Sequence, residues 1–458
     1  MQDLTTGSLS RHLLKTSSFM LIAMVFQTLY VLIDLYWVGR LGTDAVAAVA
    51  VSGNLMFLVL AATQMLGVGT TTLVSHAVGR KEHETARLVF NQSLGLAATL
   101  GVLFFTIALM LRMPYATSLS ADAETASLAG AYLAWFIPSL ALQFPLVAMG
   151  AAMRGTGNFK PGMIVQSATI IINIVLAPIL IFGWVFGIRL GVGGAALATL
   201  IAIVAGNVWM ALYFVGPSSY LTFATVQMHP QRELWGRMLK VGLPAGAEFA
   251  MMTVYLLVIY MVSRPFGASA QAGFGIGMRI IQACFMPVVA LGFAVAPVAG
   301  QNFGARRAER VKQTFYVATG MATAGMILVL LASQVAAPSM MRVFTSEAAV
   351  IDVGEEYLRI VSWSYIASGI IFVASSMFQA MGNTIPSLVS SFTRIVGTAL
   401  PVLYLSRVPG FTLRWVWLLS AVTVFAQLTI SLLLLRREFR RRLVFAAADA
   451  PSSAAAAS

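Results

Sequence analysis

The sequence predicts an all-α polytopic membrane protein, with twelve transmembrane helices arranged as two parallel six-helix lobes around a central cleft. Three observations carry this reading. Long apolar runs recur along a chain poor in charge, basic residues concentrate in alternate loops, and the second half repeats the first at a fixed offset.

Of 458 residues, 59% are hydrophobic and 10% charged, whereas a soluble domain carries roughly 25% charged residues. A water-soluble fold cannot hide so much apolar surface. Runs with few charges extend from Thr16 to Leu435, and about 20 apolar residues suffice for a helix to cross the hydrocarbon. The spans expected are 17–39, 46–73, 88–111, 129–151, 164–186, 193–215, 241–263, 271–299, 314–336, 353–378, 388–405 and 413–435. The longest polar stretch, 216–240, contains Pro217, His229 and Pro230 and reads as a cytoplasmic linker. It separates an N-terminal lobe, 1–215, from a C-terminal lobe, 241–440. A tail over 441–458, rich in Ala and Ser from Ala446 onward, is expected to be disordered. The first apolar run is too long for a cleavable signal peptide and stays as a span.

Nineteen of the 29 Lys and Arg residues fall in alternate loops and the termini, from Arg11 and Lys15 to Arg440, Arg441 and Arg442. Cytoplasmic loops retain positive charge during insertion, so both termini are expected on the cytoplasmic side of a cell inner membrane. The net charge of +13 does not signal nucleic-acid binding, because no basic face interleaved with aromatics accompanies it. A single cysteine, Cys284, precludes an intrachain disulfide and reads as a packed thiol. Four histidines without ligand spacing support no metal site, no phosphate-binding loop is present, and neither an enzyme activity nor a cofactor is expected.

At an offset of 225 residues, Gly42 matches Gly267, Leu66-Gly67 matches Leu291-Gly292, and Gly79 matches Gly304. Glu84 matches Glu309, Phe90 matches Phe315, Tyr132-Leu133 matches Tyr357-Leu358, Gly157-Asn158 matches Gly382-Asn383, Pro161 matches Pro386, and Arg189 matches Arg414. Six helices per half is an even number, so the halves run parallel about an axis along the membrane normal. Two such lobes can rock about a shared cleft.

Two acids lie well inside the expected spans, Asp34 and Glu248. An intramembrane carboxylate costs about 2.5–3.5 kcal/mol on insertion scales, so it normally faces a polar cavity and handles protons or ions. Asp34 sits near the outer end of the first helix, where Tyr36 and Trp37 anchor it; the plainer alternative pairs it with Arg40. Its repeat position holds Ile259, so the lobes are not equivalent. Glu248 is a second candidate for a cation in the cleft, or an interfacial residue paired with Lys240 or Arg237. Most polar residues of the first lobe, including Gln27, read as interhelical glue worth about 0.6 kcal/mol each. Abundant Met and Phe, 24 and 28, suit a cavity that accepts several shapes.

Six segments, in order, carry a family resemblance: Asp34-Leu-Tyr-Trp-Val-Gly-Arg-Leu-Gly42, Val74-Ser-His-Ala-Val-Gly79, Met153-Arg-Gly-Thr-Gly-Asn158, Asn173-Ile-Val-Leu-Ala-Pro178, Gly300-Gln-Asn-Phe-Gly304 and Gln379-Ala-Met-Gly-Asn383. Over roughly residues 15 to 440 the chain resembles the multidrug and toxic compound extrusion (MATE) family. The resemblance implies an antiporter that exports amphipathic, mostly cationic small molecules in exchange for H⁺ or Na⁺. It implies Asp34 as the coupling carboxyl, supported by Asn173 and Thr199; Gln27 is a further supporting polar candidate, and a monomer is expected. Two departures matter. Ala177 replaces a frequent aspartate, which leaves one carboxyl in the first lobe and favours H⁺, and Phe19 replaces a proline that lets the first helix bend. A sodium-coupled antiporter and a lipid-linked precursor flippase of the same superfamily are the alternative readings.

Overall fold

The computed structural model describes residues 2–120, 122–184, 187, 189–216 and 219–445. The tail beyond residue 445 and Pro217 lie outside them. All regular structure among the described residues is helical: α1 (Leu9–Gly39), α2 (Thr43–Gly79), α3 (His83–Met110), a short α4 (Arg112–Leu119), α5 (Ala123–Gly155), α6 (Lys160–Phe182), α7 (Gly191–Val215), α8 (Arg232–Ser263), α9 (Ala268–Gly304), α10 (Ala308–Arg342), α11 (Ala348–Ser362), α12 (Tyr365–Ala380), α13 (Ile385–Leu405) and α14 (Leu413–Arg442). Eleven are long and apolar enough to cross a membrane, and the bent pair α11–α12 makes a twelfth span. Only helices satisfy every backbone group within such a segment.

α8 begins at Arg232, inside the stretch expected as linker. The connection is also held rather than loose. Asn91 and Gln92 on α3 bond the Thr222, Gln227 and His229 carbonyls, and Gln92 Oε1 accepts from the Gln231 amide.

Each half has its own packing centre. In the first, Phe90 stacks on Phe214 at 4.5 Å, and in the second Phe274 stacks on Trp417 at 5.4 Å. The repeat extends to backbone conformation. Lys81 and Arg306, one offset apart, share the left-handed φ values 62° and 57°, and Gly157 and Gly382 share 77° and 71°. These residues turn the chain after equivalent helices, as left-handed residues past a helix end commonly do.

The repeat diverges at one place. α5 runs unbroken through Pro138, whereas the equivalent Trp363 begins a 59° break between α11 and α12. At that break the Arg359 carbonyl accepts from Gln334 Nε2 at 2.7 Å and from Ser362 Oγ at 2.9 Å, and Ser364 Oγ donates to Val361 O. Side chains thus take over the carbonyls that the interrupted helix leaves without backbone partners.

The halves meet at the end where the first and last described residues lie: Leu4 is fully buried there, and Phe445 packs on Phe303 at 5.8 Å. Glycines permit the approach. A Cβ on Gly242 or Gly246 of α8 would strike Met65 or Ala61 of α2, one on Gly69 would strike Met238, and one on Gly79 would strike Gln301. Small residues four apart are the usual means of bringing membrane helices together. Further along α2, Gly53 has no atom within 4 Å of its Cβ position. The protein is therefore closed at the end bearing the termini.

Candidate functional site

α1 is a continuous helix of 31 residues, and it carries Asp34 toward the end opposite the termini. Asp34 is partly buried, and its Oδ1 is shut away from solvent with no hydrogen-bond partner. The pairing with Arg40 does not form. Arg40 instead donates to the Tyr36 hydroxyl and lies over the Tyr36 and Trp37 rings at 4.8 and 5.5 Å.

One turn before Asp34, on the same helix face, stands Tyr30. Its hydroxyl lies 3.3 Å from Thr199 Oγ1 on α7, and Asn173 Nδ2 on α6 donates to the same oxygen at 3.0 Å. Two glycines of α7 make this meeting possible. A Cβ on Gly194 would strike the Leu180 backbone, and one on Gly206 would strike Thr169, so α6 and α7 approach closely on either side of Thr199. Tyr132 of α5 is buried within electrostatic reach of Asp34. The result is a polar chain, Asn173–Thr199–Tyr30, ending beside a carboxyl that has a vacant acceptor.

The structure joins Asn173 to Thr199 directly, and Tyr30 links that pair to the turn of α1 that carries Asp34. Gln27 is exposed and makes no hydrogen bond to the group. Sequence reasoning missed Tyr30 and Tyr132. The four-residue spacing between Tyr30 and Asp34 was a usable signal for the first; nothing local marks the second.

Glu248 lies midway along α8 and turns into the second lobe. It does not pair with Arg237, which bonds Glu233, nor with Lys240. Its two carboxylate oxygens accept from Ser387 Oγ at 2.9 Å and from Ser391 Oγ, both on α13. Gln427 Nε2 on α14 donates to Ser391 Oγ at 3.2 Å, while the buried Gln427 Oε1 has no partner. This second cluster is rich in oxygen. Among the described residues no group of three His, Cys, Asp or Glu side chains is placed to hold a metal ion.

The sequence model of one family, described as MatE, matches residues 20–179 and 244–405, one segment in each half. The chain belongs to the MatE family. Its members are transporters and not enzymes. A probable multidrug resistance protein, YoeA of Bacillus subtilis, is 28% identical over 406 residues, covering 87% of each chain. The multidrug export protein MepA of Staphylococcus aureus is 26% identical over 367 residues, covering 80% of each. Among solved structures, an outward-facing multidrug resistance MATE transporter of the MOP superfamily superposes with a TM-score of 0.88 at 26% identity, covering 96% of this chain and 98% of that one. A Pyrococcus furiosus transporter of that superfamily, described as having a binding pocket of reversed polarity, gives a TM-score of 0.86 at 26% identity, over 95% and 97% of the two chains.

Proposed function

We propose that this MatE transporter exports amphipathic, mostly cationic compounds in exchange for protons, with Asp34 as the coupling carboxyl and both termini cytoplasmic. The observation that carries the reading is the Asp34 Oδ1 atom, buried without a partner beside the Tyr30–Thr199–Asn173 chain. A carboxylate so placed lacks the hydrogen bonds that would hold it charged, and taking up a proton removes that cost. One relative named a multidrug export protein and another named a probable multidrug resistance protein support export of several compounds.

In the cycle, a proton entering from the open side neutralises Asp34. The first lobe then repacks around a neutral group, loses affinity for the cation and releases it outward. Loss of the proton on the other side resets the site. Such coupling requires only that proton and cation favour different states. The direct experiment is ethidium accumulation in an efflux-deficient host. Cells expressing the wild-type chain are expected to accumulate less dye, and Asp34→Asn is expected to abolish the difference at equal expression. Full export by Asp34→Asn overturns the assignment.

A second reading, Na⁺ as the coupling ion, is favoured by one feature. The Glu248 carboxylate and the Ser387 and Ser391 hydroxyls form a cluster of oxygens, the ligand type that hard cations prefer. Sodium-gradient-driven transport that survives collapse of the pH gradient and is lost in Glu248→Gln would establish it.

A further inference from the structure

The closed end contains a pair of contacts that repeat across the molecule as the sequence does. His76, at the end of α2 in the first lobe, donates from Nε2 to the Ala380 carbonyl of α12 in the second lobe at 2.6 Å. Gln301, its mate at the 225-residue offset, sits at the end of α9 in the second lobe. Its Nε2 donates to the Gly155 carbonyl of α5 in the first lobe at 3.0 Å. Gly155 and Ala380 are themselves one offset apart. Each lobe therefore reaches into the other at equivalent places, one with an imidazole and one with an amide.

The backbone around these bonds follows the same symmetry. A Cβ on Gly79 would collide with the Gln301 carbonyl, and one on Gly304 with the His76 carbonyl; these two glycines are also one offset apart. Thr72 Oγ1 adds a further bond across the gap, to Gln379 O at 3.0 Å.

The Gln301 half of this arrangement is covered by the N-terminal segment. The Gln301 Oε1 atom accepts from the Leu4 amide at 3.0 Å, and Asn302 Nδ2 donates to the Leu4 carbonyl at 3.1 Å. Arg307 and Arg310 hold the carbonyls of Thr5 and Gly7 at 2.6 and 3.0 Å. On the opposite side the Gln2 amide donates to Thr156 O of the first lobe at 3.0 Å. The segment Gln2–Gly7 thus crosses from one lobe to the other directly over the Gln301 bond, with Leu4 fully buried beneath it. The residues equivalent to it in the second half, Gln227 to Arg232, belong to the connection between the halves and are held on α3 by Gln92.

The geometry points to His76 and Gln301 as matched latches that hold this end of the transporter shut, with residues 2–7 as a strap bolted over the Gln301 latch. Opening this end breaks both latches and lifts the strap from one lobe. A continuous strap bonded to both lobes cannot stretch to follow a rocking motion, so its release and the separation of the lobes are one event. The inference rests on the alternating-access reading given above, but not on the identity of the coupling ion.

Spin labels at Glu84→Cys and Glu309→Cys in a Cys284→Ser chain test it. These side chains are repeat mates on opposite lobes at the latched end, and they are 72% and 76% exposed. Electron–electron distance distributions are recorded in nanodiscs without substrate at fixed pH. His76→Ala and Gln301→Leu are each expected to raise the population at longer distance roughly two- to tenfold, the loss of one hydrogen bond of ordinary net strength. His76→Gln, which installs the side chain used by the repeat, is expected to stay near wild type. Deletion of residues 2–7, or Leu4→Ala if the deletion does not fold, is expected to shift the distribution in the same direction. Wild-type distributions in both His76→Ala and Gln301→Leu would overturn the latch, as would His76→Gln behaving like His76→Ala. An unchanged distribution in a folded strap deletion would overturn the strap. Because the readout involves no ion gradient, full transport by Asp34→Asn would remove the coupling assignment while leaving this result standing.

Discussion

Thr199 is the residue on which the first-lobe site turns, since its hydroxyl receives Asn173 and meets Tyr30. Thr199→Val keeps the shape and removes the oxygen, which leaves the Asn173 amide buried without its acceptor. Unsatisfied buried polar groups cost about 1–3 kcal/mol, so this variant is expected to melt earlier in detergent by an amount of that order and to transport more slowly. Tyr30→Phe removes one weaker contact and is expected to cost well under that. Equal melting of Thr199→Val and wild type would show that the hydroxyl chain is not a structural support for Asp34. At this scale the sequence was partly legible. Asp34 stood out because charge is expensive in hydrocarbon, and the family resemblance brought Asn173 and Thr199 with it. The partners of Glu248 did not stand out, because Ser387 and Ser391 are common residues that acquire meaning only when α13 is laid against α8.

At the scale of elements, the packing of α2 against α8 and α9 depends on missing side chains. Gly79 and Gly304 occupy equivalent positions at the closed end, and each would drive a Cβ into a carbonyl of the opposite lobe. Gly79→Val and Gly304→Val are therefore expected to behave alike: both disfavour closure and both lower transport to a few per cent at normal expression. Unequal effects would contradict the symmetry of the contact. The strap has a titratable element outside the membrane. The Thr5 hydroxyl and amide beside Asp3 hold its carboxyl below the usual carboxylate range. A carboxyl lowered in the folded state lends stability that is present above its unfolded value and is lost as pH falls through the folded one. Acid conditions below the ordinary carboxylate range are thus expected to loosen the strap, and Asp3→Asn to remove that part of the pH dependence in the label distances. The twelve spans were legible in the sequence because apolar length alone decides them. The break at Trp363 was not, since the residue at the equivalent place in the unbroken α5 is Pro138, the usual cause of a kink. The capture of the Arg359 carbonyl by Gln334 is a tertiary event that no local pattern announces.

The whole molecule is a duplicated frame in which the first lobe alone carries the carboxyl at the Asp34 position. Frame contacts follow the 225-residue offset down to left-handed turns and interlobe bonds, while the coupling candidate exists once, with Ile259 in the place of Asp34. Ile259 is 2% exposed, so Ile259→Asp buries a carboxyl one turn from Tyr255, the mate of Tyr30, whose hydroxyl is already hydrogen-bonded to Ser420 Oγ at 2.9 Å. It is expected to cost at least the 2.5–3.5 kcal/mol of an intramembrane acid, seen as lost thermal stability in detergent, without adding a second proton site. A stable Ile259→Asp protein would mean that the Tyr255–Ser420 pair and the Arg394 guanidinium over the Tyr255 ring receive the new carboxyl.

Proton movement itself is the most direct test of the account. Purified protein in liposomes loaded with a pH-reporting dye is given an inward-directed ethidium gradient with the membrane potential clamped. The account expects a saturable counterflow of protons in the wild type and none in Asp34→Asn. Ethidium flux in the wild type without any proton counterflow, or an undiminished counterflow in Asp34→Asn, would contradict it.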